Sequence, residues 1–140
     1  MKARFIPQVA LLVLAIVAPA GVTNGKGPSA SQVREQFEFE IRDFKVSHQG
    51  GNVLTLKVRY DYRAGLRAAN YPDFRELAKA CEEFLRTYPN NTDFWEILNL
   101  KLTARLLRDF PALASITIEI RVAADDHDPY FRASTVTRTR

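Results

Sequence analysis

Two stretches of alternating residues decide the fold, QFEFEIRDFKV at residues 36–46 and VLTLKVRYDYR at residues 53–63. In the first stretch Phe37, Phe39 and Ile41 share a face that opposes the charged residues between them. A period of two is typical of a strand with one buried and one polar face. The intervening residues 47–52 contain Gly50 and Gly51, which adopt positive φ at low cost and suit a turn. The pattern therefore predicts a hairpin of two long strands.

Two helices are predicted after the hairpin. Pro72 suits the first turn of a helix, and apolar residues at i, i+3, i+4 and i+7 continue to about Thr87. Asn91 or Thr92 can cap a second helix that runs to about Phe110, with Asp93 and Glu96 favourable in its first turn. Because this helix is apolar on more than one side, we expect it to bury one side on the sheet and another against the first helix or a partner subunit.

Two further strands complete the predicted order. Ile or Val alternates with polar residues over residues 116–122, and residues 130–137 form a weaker fourth strand. The order ββααββ predicts an α+β fold, with an antiparallel four-stranded sheet and two helices packed on one face. The opposite, polar face of the sheet is either exposed to solvent or lines a barrel built from several subunits.

The N-terminal residues have the pattern of a secretory signal peptide. A basic start with Lys2 and Arg4 precedes a short apolar run, and Ala18-Pro19-Ala20 supplies small residues before a cut at Gly21. The apolar run is too short to span a bilayer, for which about 20 residues are needed. We expect a signal peptide at residues 1–20, a flexible spacer at 21–34 and one domain at 35–140, with no membrane span after cleavage. The expected location is secreted or periplasmic.

Charge and cysteine content narrow the function classes. The leader holds two of the 20 basic residues, so 18 basic and 16 acidic residues remain and the mature balance is about +2. No basic run of the kind that binds nucleic acid is present in the sequence. Cys81 is the sole cysteine, which excludes an intramolecular disulfide, and its helical pattern predicts a buried thiol.

A resemblance emerges from the second helix and the element order. Residues 95–104, WEILNLKLTA, followed by Phe110-Pro111, resemble the helix motif of dihydroneopterin aldolase, a member of the tunnelling-fold superfamily. The resemblance places Glu96 where that family keeps the carboxylate that grips the amino-pyrimidine edge of a pterin. It places Tyr71, with Asn70 before it, at the family's site tyrosine. It further implies a ring-shaped homo-oligomer, with Tyr71 coming from a neighbouring subunit.

The departures from the family concern its catalytic groups. The aldolase lysine position falls on Val122, with Ala123 and Ala124 beside it, and no lysine is near it in the sequence. Related synthases need three histidine zinc ligands, whereas this chain has only His48 and His127. No catalytic residue, cofactor or metal ion is therefore predicted. The acidic cluster at residues 125–128 is interpreted as a solvated turn, with metal binding as the alternative.

Three functional hypotheses follow. The first is an exported protein that binds a small planar heterocycle, pterin-like or purine-like, through Glu96, Tyr71 and Asn70. The second is an aldolase-like lyase with a substitute base, His127 or Lys57. The third is a structural or adaptor module of the cell envelope that binds no small ligand.

Overall fold

The computed structural model describes residues 34–140, in which two hairpins flank two helices. The strands are β1 (Gln36–Val46), β2 (Asn52–Tyr62), β3 (Leu113–Val122) and β4 (Arg132–Thr139), and the helices are α1 (Phe74–Thr87) and α2 (Trp95–Asp109). Short 3-10 turns occupy His48–Gly50 and Ala68–Asn70. The four strands form one antiparallel sheet in the order β1-β2-β3-β4. The predicted ββααββ order and α+β class are confirmed.

The alternation of β1 is interrupted, which the sequence pattern did not predict. Ile41 pairs with Leu56 and Phe44 with Leu54, so Arg42 and Asp43 together stand opposite one residue of β2. Asp43 has φ of 52°, in the left-handed region. This β-bulge shifts the buried face by one residue, since Phe44 and Val46 are buried while Arg42 is exposed.

The core lies between the helices and one face of the sheet. Leu54, Leu56 and Val58 of β2 and Ile116, Ile118 and Ile120 of β3 are fully buried there. Helix α2 packs on β3 and β4, whereas α1 lies beside α2 and contacts β1. Cys81 of α1 is buried and free, which confirms the prediction for its thiol.

The helix starts differ from their predicted positions. Asp73 caps α1 by accepting a hydrogen bond from the backbone N–H of Arg75 (2.9 Å), so Pro72 precedes the helix instead of lying in its first turn. Neither Asn91 nor Thr92 caps α2, whose N-cap is Phe94 without a side-chain cap. The side chain of Asn90 accepts hydrogen bonds from the N–H and the hydroxyl of Thr92 instead, which holds these residues in a turn.

The predicted signal peptide and nearly all of the predicted spacer lie outside the described residues. Arg34, at the start of the described part, pairs with Asp61 of β2. Among residues 34–140, no helix is long and apolar enough to cross a bilayer.

Candidate functional site

A cleft opens beside the first turn of α2, where that helix approaches the ends of β3 and β4. Its volume is about 290 Å³, near the lower limit of about 300 Å³ for small-molecule pockets. We call it the Glu96 cleft. Its lining comes from the first hairpin turn, the start of α2 and two strands: Gln49, Phe94, Trp95, Glu96, Val122, Arg132, Ala133 and Ser134.

Glu96 provides the acidic group of this cleft. Its side chain is exposed in the first turn of α2 and makes no hydrogen bond to another described residue. A carboxylate of this kind can accept two parallel N–H bonds from a planar amine edge. Phe94, which is 73% exposed, supplies an aromatic surface two residues away in the chain. The cleft therefore combines a free acceptor with an aromatic surface on which a flat ring can stack.

The segment that leads into α2 is held by a polar network. The Tyr88 hydroxyl donates to the carboxylate of Asp93, and Lys101 Nζ lies 2.8 Å from the same carboxylate. The Lys101 ammonium holds the pKa of Asp93 below its usual range, with the Tyr88 hydrogen bond as the second cause. The Asp93 backbone oxygen lies 2.9 Å from His48 Nε2. These contacts anchor the first hairpin turn to the start of α2 and so fix one wall of the cleft.

Asn99 joins α2 to the two strands that form the other wall. This residue is fully buried, and its side-chain amide donates to the backbone oxygens of Ile118 in β3 and Ser134 in β4, both at 3.0 Å. Its own side-chain oxygen accepts from the hydroxyl of Thr103 (3.2 Å). Glu96 precedes Asn99 by about one helical turn, so this network sets the position of Glu96 relative to β4.

The structure places Val122 in the Glu96 cleft, at the position where the resemblance assigns the aldolase lysine. Among residues 34–140, no lysine lines this cleft. Arg132 and Gln49 are the lining residues that could serve as polar partners and that sequence reasoning missed. Neither carries a recognisable local motif, because Gln49 lies in the first hairpin turn and Arg132 begins β4, and only the fold brings them to one end of the sheet.

Tyr71 and Asn70 lie at the opposite end of the sheet. The Tyr71 ring stacks on Tyr62 with centroids 4.4 Å apart, and its hydroxyl donates to Glu35. This hydrogen bond raises the pKa of Tyr71. Tyr62 pairs with Leu113 at the start of β3, whereas Val122 in the cleft ends that strand. Nine residues at about 3.3 Å each put the two places about 30 Å apart along β3. The fold of a single chain therefore does not bring Tyr71 or Asn70 to Glu96.

The two bases of the lyase hypothesis also lie elsewhere. Lys57 Nζ is 3.0 Å from Glu38 on the polar face of the sheet. His127 lies in the exposed turn before β4, where its backbone N–H donates to Asp125. In that turn Asp125 accepts two backbone N–H bonds and Asp128 pairs with Arg132. No group of three or more metal-ligating side chains occurs among residues 34–140.

Both edges of the sheet carry exposed apolar side chains on the side of the helices. At the β1 edge, Phe37 and Phe74 are 38% and 41% exposed, with ring centroids 5.5 Å apart. On α2, Ile97 and Leu100 are 40% and 42% exposed. Lys101 contacts the hydroxyl of Tyr88 at the end of α1. Because successive residues of a helix are rotated by about 100° around its axis, the neighbouring Leu100 lies on the other flank of α2, toward β4. Each open edge is thus flanked by apolar surface.

Comparison with known proteins gives structural matches alone. No protein-family model matches the chain, and no curated protein matches it by sequence. A dihydroneopterin aldolase from Burkholderia, bound to guanine, superposes with a TM-score of 0.53 at 14% identity, over 75% of this chain and 92% of that one. A BTUO variant superposes with a TM-score of 0.55 at 15% identity, over 75% of this chain and 46% of that one. These likenesses concern the backbone, and from them we conclude that the chain has the tunnelling fold.

Proposed function

We propose that this chain is an exported tunnelling-fold protein that binds a small planar heterocycle, pterin-like or purine-like, in the Glu96 cleft. The observation that carries the proposal is the free Glu96 carboxylate beside the exposed ring of Phe94. A stacked ring with an N–H edge would satisfy both groups. The guanine in the aldolase structure has an edge of this type and supports the choice of ligand class.

The proposed site is completed by a second subunit. Tyr71 and Asn70 lie near the start of β3 and Glu96 near its end, about 30 Å away along the strand, so both ends can contribute to one site only across an interface. An edge strand presents unpaired backbone N–H and C=O groups, and β1 and β4 are such edges. Pairing β1 of one copy with β4 of the next would bury the aromatic pair at β1 and the apolar flank of α2. Repeated head to tail, this contact closes a ring.

Export is part of the proposal because of residues 1–20. The order of basic, apolar and small residues is that of a cleaved leader. Expression of the full chain in a bacterial host, followed by intact-mass measurement, tests this part. A mature protein that begins at Gly21 in the periplasmic fraction is the expected result, and an uncut chain in the cytosol would contradict it.

Ligand binding is tested by calorimetric titration of the mature chain with pterin and with guanine. We expect Glu96→Gln to weaken binding by roughly tenfold or more, since a hydrogen bond to a charged group contributes about 1.5–3 kcal/mol. Glu76→Gln is the matched control, because Glu76 is also an exposed acid in the first turn of a helix but lies outside the cleft. If the wild type binds neither compound, the proposed ligand class is wrong.

Assembly is tested by light scattering coupled to size-exclusion chromatography. We expect an oligomer for the wild type and a smaller species for Leu100→Glu, which places a charge on the apolar flank beside β4. Lys79→Glu adds the same side chain to the exposed surface of α1 and should leave the assembly intact. A monomeric wild type with no ligand affinity would favour the envelope-module hypothesis instead.

A further inference from the structure

The wall of the Glu96 cleft that is formed by β4 carries a positively charged donor. Arg132, the first residue of β4, directs one terminal nitrogen to the carboxylate of Asp128. Its other terminal nitrogen lies 3.4 Å from the side-chain oxygen of Asn52. The remaining donor, Nε, is buried and has no hydrogen-bond partner in the described part of the chain. Asp128 and Asn52 therefore hold the guanidinium in place without using all of its N–H groups.

Two further groups of the same cleft are donors. Trp95 is only 7% exposed, and its indole Nε1 has no hydrogen-bond partner within residues 34–140. The first turn of α2 begins at Phe94 without a side-chain cap, so no side chain of the described residues accepts from its leading backbone N–H groups. Such groups and the helix dipole favour a negative charge at this position. Glu96 is the acceptor of the cleft, and its surroundings supply donors.

We infer that the ligand of the Glu96 cleft is a planar heterocycle bearing a carboxylate, which Arg132 recognises. This inference rests on the proposed function and narrows its ligand class. A neutral amino-pyrimidine edge would pair with Glu96 but leave the donors of Arg132 and Trp95 unused. A carboxylate on the ring accepts from the planar guanidinium, a pairing that an arginine makes with better geometry than a lysine. Arg132 acts here as a specificity-determining residue.

The test compares two pterins that differ in one substituent, pterin-6-carboxylate and 6-hydroxymethylpterin. Each is titrated by calorimetry into the purified mature protein in its native assembly. We expect the wild type to bind the carboxylate about tenfold more tightly, the effect of one hydrogen bond to a charged group. Arg132→Gln should remove this preference and still bind the hydroxymethyl compound. Arg132→Lys keeps the charge and should keep part of the preference.

The control variant is Arg108→Gln, which removes the same charge from the exposed last turn of α2 and should leave the preference unchanged. Equal affinity of the wild type for the two compounds overturns the inference and leaves the proposed function standing. Binding of neither compound overturns both. If Arg132→Gln does not fold, the wild-type comparison still decides whether the cleft prefers a carboxylate, and Arg132→Lys tests the part that Arg132 plays. Equal loss of both ligands in a folded Arg132→Gln would show that Arg132 only shapes the cleft.

Discussion

Replacing Asn99 with alanine should destabilise the fold and loosen the cleft together. Asn99 is fully buried in α2, and its side-chain amide is shared between the backbone oxygens of Ile118 and Ser134. It therefore bridges the helix that carries Glu96 and the strand that carries Arg132. Alanine removes the bridge and leaves the strand oxygens without this donor in a water-free setting.

The expected magnitude follows from two 3.0 Å hydrogen bonds. Each such bond contributes about 1 kcal/mol net, and a buried group left without its partner costs about 1–3 kcal/mol. We therefore expect Asn99→Ala to lower the free energy of unfolding by about 2–4 kcal/mol. For a domain near 100 residues, 1 kcal/mol corresponds to about 4–8 °C in Tm. A fall of roughly 8–32 °C in Tm is the corresponding thermal result.

Urea denaturation followed by circular dichroism, at fixed protein concentration, measures this change. Asn91→Ala is the matched control, since Asn91 is exposed and, within residues 34–140, only its backbone oxygen makes a hydrogen bond, which it accepts from the N–H of Gln49. The control should lie within about 0.5 kcal/mol of the wild type, as surface substitutions usually do. An Asn99→Ala protein that is also within 0.5 kcal/mol would refute the role assigned to the bridge.

Three further predictions concern other parts of the molecule. The Arg34 guanidinium, with Ser115 and Gln36, holds the pKa of Asp61 below its usual value. The ionised Asp61 carboxylate thus stabilises the fold above its unfolded pKa of about 3.9, and this stabilisation is lost as the pH falls through the lower folded value. Asp61→Asn should therefore reduce the loss of stability in acid. An unchanged acid-unfolding profile would contradict this. Burial raises the pKa of the Cys81 thiol to about 12. A thiol reagent at pH 8 should therefore label the chain only as fast as the protein unfolds. Immediate labelling of the folded protein would show that the thiol is accessible. His48 holds the hairpin turn against α2: the residue is 2% exposed, and its ring centroid lies 4.6 Å from that of Trp95. His48→Ala should lower the free energy of unfolding by about 2–4 kcal/mol, as large-to-small core changes do, and should change the fluorescence of Trp95. Native fluorescence and stability in this variant would refute the contact.

The Glu96 cleft was only partly predictable. The position of Glu96 in the first turn of α2 follows from the helical pattern, and the resemblance placed the lysine position at Val122, which does line the cleft. Arg132 and Gln49 were missed because a strand end and a turn that are distant in sequence carry no shared periodicity. The separation of Tyr71 from Glu96 could not be predicted from the sequence either, since it depends on the register in which the strands pair.

The amino-acid sequence by itself determined the order of the elements, the buried faces of β2 and β3 and of β1 before the bulge, and the burial of Cys81. These features follow from periods of 2 and 3.6 residues, which are local properties of the chain. The tertiary structure alone decided the bulge at Asp43, the start of α2 at Phe94 and the position of Glu96 and Arg132 in one cleft. Each of these depends on how the elements pack and in which register they pair, and a local pattern does not contain that information.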